Sequence, residues 1–136
     1  MDKLLWLRYR TVISLLATMG WMVFIFYLST PSAALIVKKF SFLKQVFGDS
    51  VQYPAHFFLY FVLFQLAKGV FIHQEQGNKM RQVGLITTLI FTCFYGVMDE
   101  FYQSTVPFRS FQLRDILVDC LAAFSGFIIE LKAQKG

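Results

Sequence analysis

The residues from 11 to 37 include no charged side chain, and residues 12 to 28 are the apolar centre of this run. A helix needs about 20 mainly apolar residues to cross a hydrocarbon core about 30 Å thick. The run satisfies that length, and it is longer than the about 7–15 apolar residues of a cleaved signal peptide. We therefore predict a membrane-spanning helix, retained as an anchor, over about 12–30.

Three more apolar segments predict further spans over about 51–68, 83–99 and 115–131. The last is the least apolar of the three, because Asp119 lies within it. The chain is 57% hydrophobic and 15% charged, against about 45–50% and 25% in soluble domains. These observations predict one all-α domain over 1–136, a polytopic integral membrane protein folded as a four-transmembrane-helix bundle.

The Lys and Arg residues predict the orientation of these spans, because basic residues are enriched in cytoplasmic segments. The N-terminus, the second connection and the C-terminus carry eight of them: Lys3, Arg8, Arg10, Lys68, Lys79, Arg81, Lys132 and Lys135. The first and third connections carry five: Lys38, Lys39, Lys44, Arg109 and Arg114. We therefore predict that both termini are cytoplasmic and that residues 29–54 and 99–115 lie on the outer face.

Half of the eight acidic residues fall within a short window at one predicted membrane edge: Asp99, Glu100, Asp115 and Asp119. An ionised group at membrane depth costs at least a few kcal/mol, so such groups are usually paired, hydrated or functional. Arg109 and Arg114 lie in the same window and are the expected partners. Asp115 and Asp119 share a helix face and would repel each other unless a cation, an arginine or a shared proton lies between them.

Other polar residues extend this cluster. Gln103 is four residues after Asp99, so both can point the same way from the end of the third span. Arg109 can donate two parallel hydrogen bonds to a carboxylate or a phosphate, which Lys cannot do. His56 and Tyr60 lie four residues apart at the outer end of the second span. The candidate headgroup-binding residues are Arg109, Gln103, Asp99, Glu100, Asp115, Asp119, His56 and Tyr60, and the candidate acid–base residues are His56, Asp99, Glu100 and Asp115.

These residues resemble the pattern of the VanZ-like family of small bacterial membrane proteins. That pattern has a His in the second span, then D-E-x-x-Q-x-x-x-P-x-R, then an Asp six residues after the Arg. Here His56 is followed by DEFYQSTVPFR over 99–109 and by Asp115. The Ser-Thr-Pro at 29–31 also resembles the exit from the family's first span. The likeness covers about 27–126 and implies a multi-pass protein of the bacterial cytoplasmic (plasma) membrane.

The chain departs from the family pattern at three positions. Tyr53 stands where a Lys is usual, Asp119 where an Asn is usual, and Ala122 where a Gly is common. The first two changes make any site here more acidic than the pattern. The family is named for a protein associated with resistance to the glycopeptide teicoplanin, so the resemblance implies an antibiotic-resistance role at the cell envelope.

The leading hypothesis is that an outer-face polar site binds a lipid or a lipid-linked headgroup. The alternative is a membrane-embedded enzyme that acts on an envelope lipid or phosphate ester with its Asp, Glu and His groups. A third interpretation is an ion-pair and hydrogen-bond clasp between the spans, and it is compatible with binding. The expected partners are membrane lipids, a lipid-linked cell-wall precursor or a glycopeptide. No cofactor or metal is predicted. Nucleic acid is not expected as a partner either, because no basic stripe interleaves with exposed aromatic residues. The sequence leaves open whether Ca²⁺ or Mg²⁺ binds the acids and what the oligomeric state is.

Overall fold

A computed structural model of the chain describes residues 3–31, 52–72, 77–107 and 109–134. Within these ranges the protein is all-helical, with four long helices and no strand. The helices are α1 (Lys3–Ser29), α2 (Gln52–Phe71), α3 (Asn78–Ser104) and α4 (Leu113–Ala133). The predicted all-α fold with four helices is confirmed.

Successive helices run in opposite directions, and the contacts at each end show this. Gln52 and Asp115 meet at the N-terminal ends of α2 and α4, and Lys68 meets Glu130 near their C-terminal ends. Ser29, at the end of α1, contacts Asp99 near the end of α3. Thus α1 and α3 point towards one edge of the bundle, and α2 and α4 point towards the other. The first helix begins and the last helix ends at the same edge.

The second helix is the centre of the bundle, because it packs against α1, α3 and α4. α3 and α4 also pack closely, whereas α1 lies mainly on α2 and has few contacts with α3. The buried apolar residues form two clusters along α2. One consists of Ile25, Tyr60, Leu63 and Ala122, and the other of Phe64, Leu85 and Ala123.

The outer surface of the bundle is apolar on every helix. Large hydrophobic side chains that are at least 60% exposed lie on all four helices, among them Leu16, Val23, Phe58, Ile90 and Leu113. A soluble protein rarely exposes so continuous an apolar surface. α1, α2 and α3 are each long and apolar enough to cross a membrane. These features support a membrane protein.

The fourth helix differs from the other three in charge. Its 21 residues would suffice to cross a bilayer, but it carries five charged residues: Arg114, Asp115, Asp119, Glu130 and Lys132. The fourth membrane crossing therefore stays a prediction. The helices α2, α3 and α4 extend beyond the predicted spans at 51–68, 83–99 and 115–131. Lys38, Lys39, Lys44 and Lys135, which enter the predicted orientation, lie outside the described residues.

Small residues set the distances between the helices. Ala122 and Gly126 are buried, and a Cβ on Gly126 would lie 2.5 Å from the ring of Phe64. Gly96 of α3 faces Asp119 of α4, whose Cβ would be 3.1 Å from an added Cβ. In lipid, helices associate through such close packing and through hydrogen bonds between them.

Gly84 gives a direct test of this packing. An alanine Cβ there would lie 2.6 Å from the main-chain carbonyl oxygen of Phe71, which cannot move without displacing the end of α2. We expect Gly84→Ala to lower the free energy of unfolding by about 1–3 kcal/mol. Gly20→Ala is the matched control, since nothing lies within 4 Å of the added Cβ. Thermal unfolding in detergent should show a lower midpoint for Gly84→Ala alone; equal midpoints would contradict the proposed contact.

Candidate functional site

Four acidic side chains are buried where the end of α3 meets the beginning of α4. The exposed fractions of Asp99, Glu100, Asp115 and Asp119 are 5%, 2%, 4% and 1%. Asp119 is six residues after the first residue of α4, which places it about 9 Å along the helix axis. Because buried charges are costly in an apolar environment, the hydrogen-bond partners of each acid determine what it can do.

Asp99 is the most fully hydrogen-bonded of the four. Its Oδ1 accepts a hydrogen bond from Ser29 Oγ at 2.6 Å. Its Oδ2 accepts hydrogen bonds from Tyr60 Oη at 3.2 Å and from Gln103 Nε2 at 2.8 Å. The predicted alignment of Asp99 with Gln103 is confirmed. These donors come from α1, α2 and α3, so the carboxylate connects three helices.

Arg109 reaches this group through an amide. Its Nη1 donates to Gln103 Oε1 at 2.8 Å, and its Nη2 is 3.4 Å from the main-chain oxygen of Leu28. The side chain of Arg109 is half-buried, whereas that of Arg114 is exposed. The expected direct pairing of these arginines with the acids is therefore not observed in the described part of the chain. Gln103 uses its amide NH₂ on Asp99 and its carbonyl on Arg109, so it links the two charges.

His56 lies between the two acids of α4. Its Nδ1 is 3.0 Å from Asp119 Oδ1, and its Nε2 is 3.8 Å from Asp115 Oδ2. The imidazole, with 15% of its side chain exposed, therefore separates two carboxylates that would otherwise repel each other across one helical turn. It is the intervening group that the spacing of Asp115 and Asp119 requires.

A chain of polar groups joins Asp115 to Glu100. Gln52 Nε2 is 3.3 Å from Asp115 Oδ1 and 3.0 Å from Gln112 Oε1. The main-chain N–H of Gln112 donates to Glu100 Oε1 at 2.6 Å. The other oxygen of Glu100, Oε2, is buried and has no hydrogen-bond partner among the described residues.

The structure thus gathers the eight predicted site residues at one edge, in two adjoining groups. The first group is Asp99, Gln103, Tyr60 and Arg109, and the second is His56, Asp115, Asp119 and Glu100. Gly96 lies where the groups meet, since an added Cβ would touch both Tyr60 and Asp119. Three residues that the sequence did not identify as site residues also take part: Ser29, Gln52 and Gln112. The sequence feature that could have identified them is their position, because each is a polar residue at the same predicted edge.

This arrangement combines a guanidinium at the surface with buried carboxylates behind it. It can hold an anionic group at Arg109 and a cationic or proton-bearing group at the acids. Within the described ranges, no three His, Cys, Asp or Glu side chains are arranged to hold a metal ion. At the opposite edge of the bundle, an ion pair between Lys68 and Glu130 joins α2 to α4.

Comparison with known proteins agrees with the resemblance predicted from the motif. Residues 14–131 match the model of the VanZ/LLP1 family, which covers most of the chain and includes every site residue described above. No curated protein and no solved structure matches the chain.

The contact between His56 and Asp119 can be measured by a double-mutant cycle. We expect His56→Phe and Asp119→Asn to show a coupling of about 1–2 kcal/mol in the free energy of unfolding in detergent. A cycle of His56→Phe with Glu130→Gln is the control, because Glu130 lies at the opposite edge and the effects should add within about 0.5 kcal/mol. Additive effects in the first cycle would rule out a stabilising contact.

Proposed function

Because the chain belongs to the VanZ/LLP1 family, we propose that it is a bacterial cell-envelope protein that binds a lipid or lipid-linked headgroup and contributes to glycopeptide (teicoplanin) resistance. The observation that carries the proposal is the half-buried Arg109, held by Gln103 beside four buried acids at the end of an apolar bundle. A lipid has both features that this edge can accommodate: a charged headgroup and an attached apolar chain.

The proposed topology is multi-pass in the cytoplasmic membrane, with four crossings and both termini inside. It is supported by the antiparallel helix order, which brings the start of α1 and the end of α4 to one edge, and by the distribution of Lys and Arg. In this topology the edge with Arg109 and the acids faces outwards. Arg114, Asp115, Glu130 and Lys132 then lie near the two interfaces, and Asp119, further along the helix, is paired with His56.

Arg109 is the group best suited to bind the anionic part of a headgroup. A guanidinium has five N–H donors, and the two hydrogen bonds to Gln103 and Leu28 leave others available. Its planar geometry matches the oxygens of a phosphate. The link through Gln103 to Asp99 holds the arginine in place without using its charge in a direct carboxylate pair.

The proposed connection to resistance depends on the side of the membrane at which the site lies. Glycopeptides act outside the cell on lipid-linked cell-wall precursors, and the proposed site lies at the outer leaflet. A protein that holds such a headgroup, or the glycopeptide itself, alters how much of the precursor the antibiotic can reach. This step is supported by family membership and by the proposed orientation of the site.

The geometry of His56 favours enzymatic catalysis as a second candidate. An imidazole between two buried carboxylates is an arrangement that can donate and accept protons. The substrate would be an envelope lipid or phosphate ester, and no cofactor enters the proposal. Incubation of the purified protein with labelled envelope lipids separates the candidates, because an enzyme converts the lipid whereas a binding protein retains it unchanged.

The topology can be tested with single cysteines in a chain that has Cys93→Ala and Cys120→Ala. Ser110→Cys should react with a membrane-impermeant maleimide in intact cells, because this exposed position follows Arg109 at the proposed outer face. Asn78→Cys, exposed at the beginning of α3, should react only after the cells are permeabilised. The reverse pattern would overturn the orientation.

Headgroup binding can be tested at Arg109. We expect Arg109→Ala to weaken retention of an anionic phospholipid by about tenfold or more, because a lost hydrogen bond to a charged group costs about 1.5–3 kcal/mol. In a susceptible bacterial host, the wild-type chain should raise the teicoplanin concentration needed to stop growth, and Arg109→Ala should remove that increase.

Arg114→Ala is the matched control, since it removes an equal charge from a nearby exposed position. It should behave like the wild-type chain at equal protein levels in the membrane. If both variants keep full lipid retention and full resistance, Arg109 has no role in binding.

A further inference from the structure

The four buried acids differ in how well the protein compensates their charge. Asp99 accepts hydrogen bonds from three side chains, and Asp119 is paired with His56. Asp115 lies in the first turn of α4, where the helix dipole favours a negative charge, and Gln52 also donates to it. These three acids have partners in the fold.

Glu100 has much less compensation. It receives one hydrogen bond, from the main-chain N–H of Gln112 to Oε1, although only 2% of the residue is exposed. Its Oε2 has no partner in the described part of the chain. Glu100 also lies near the C-terminal end of α3, where the helix dipole disfavours a negative charge. Burial and the helix dipole both disfavour a negative charge on Glu100, and a positively charged donor would compensate it.

The surroundings of Glu100 define what that donor can be. Gln112 and Gln52 link it to Asp115, so a second carboxylate is connected to Glu100 through three hydrogen bonds. Arg109 is held by Gln103, three residues after Glu100 on the same helix. The edge therefore offers a guanidinium for an anion and, on the same helix end, a carboxylate oxygen that has no partner among the described residues.

We propose that Glu100 accepts a hydrogen bond from a primary ammonium group of a ligand whose phosphate is bound by Arg109. The ligand class is a zwitterionic aminophospholipid, in which a short spacer joins the two charges. A primary ammonium is compact and carries three N–H donors, so it can reach a buried carboxylate oxygen that a bulkier cation cannot. This inference rests on the proposed function, because it names the headgroup at the same site.

The test compares lipids that have the same acyl chains and different headgroups. The purified full chain is equilibrated in detergent with phosphatidylethanolamine, phosphatidylcholine or phosphatidylglycerol, and the retained lipid is measured by native mass spectrometry. Wild-type protein should retain phosphatidylethanolamine about tenfold better than phosphatidylcholine, which has an equal charge and no N–H. Glu100→Gln should remove this preference for phosphatidylethanolamine over phosphatidylcholine.

Two controls support the assignment. Glu130→Gln removes a carboxylate at the opposite edge and should keep the wild-type preference. The N-methylated series between phosphatidylethanolamine and phosphatidylcholine needs no variant, so it tests the inference even if Glu100→Gln does not fold. Retention by the wild-type chain should fall stepwise as each N–H is replaced by a methyl group.

The outcomes separate this inference from the proposed function. Retention that depends on Arg109 but shows no headgroup preference would overturn the ammonium site and leave headgroup binding intact. A preference that persists in Glu100→Gln would also overturn it, as expected if Glu100 instead carries a proton or an inorganic cation. Retention that is equal for all lipids and unaffected by Arg109→Ala would overturn both.

Discussion

The arrangement of the helices at the site edge depends on the buried carboxylate of Asp99. A negative charge inside an apolar bundle is stable only when donors surround it, and here Ser29, Tyr60 and Gln103 supply them from three helices. Because a hydrogen bond tolerates little change in distance or angle, these contacts fix the rotation of α1 and α2 relative to α3. They also hold Gln103 so that its other oxygen faces Arg109.

The two edges of the bundle show how differently charge can be used in one small membrane protein. At one edge Lys68 and Glu130 join two helices as an ion pair. At the other edge, the described residues include four buried acids, one histidine and one half-buried arginine. An excess of buried negative charge lowers stability unless another group compensates it. Packing alone does not require four acids, since the Lys68–Glu130 pair joins two helices with one acid. Ligand binding explains the excess of acids better than packing does.

The sequence predicts the helices well because the signals are local. Hydropathy locates all four, and the spacing of four residues between Asp99 and Gln103 predicts their contact within one helix. The contacts between helices were harder to predict from the sequence. That His56 lies between Asp115 and Asp119 depends on how α2 is rotated against α4, which is determined by small residues such as Gly126 under Phe64. Arg109 was expected to pair with a carboxylate and instead binds Gln103, because Asp99 already has its donors.

The degree of hydrogen bonding therefore separates two roles within one acidic cluster. Asp99 already accepts three hydrogen bonds from the fold, and its contribution is to position Gln103 and, through it, Arg109. Glu100 has an unoccupied oxygen in the described structure, and Arg109 has unoccupied donors. A buried group whose partners are all internal serves the structure. A buried group with a free acceptor, close to a free donor of opposite charge, suits a ligand that carries both charges itself.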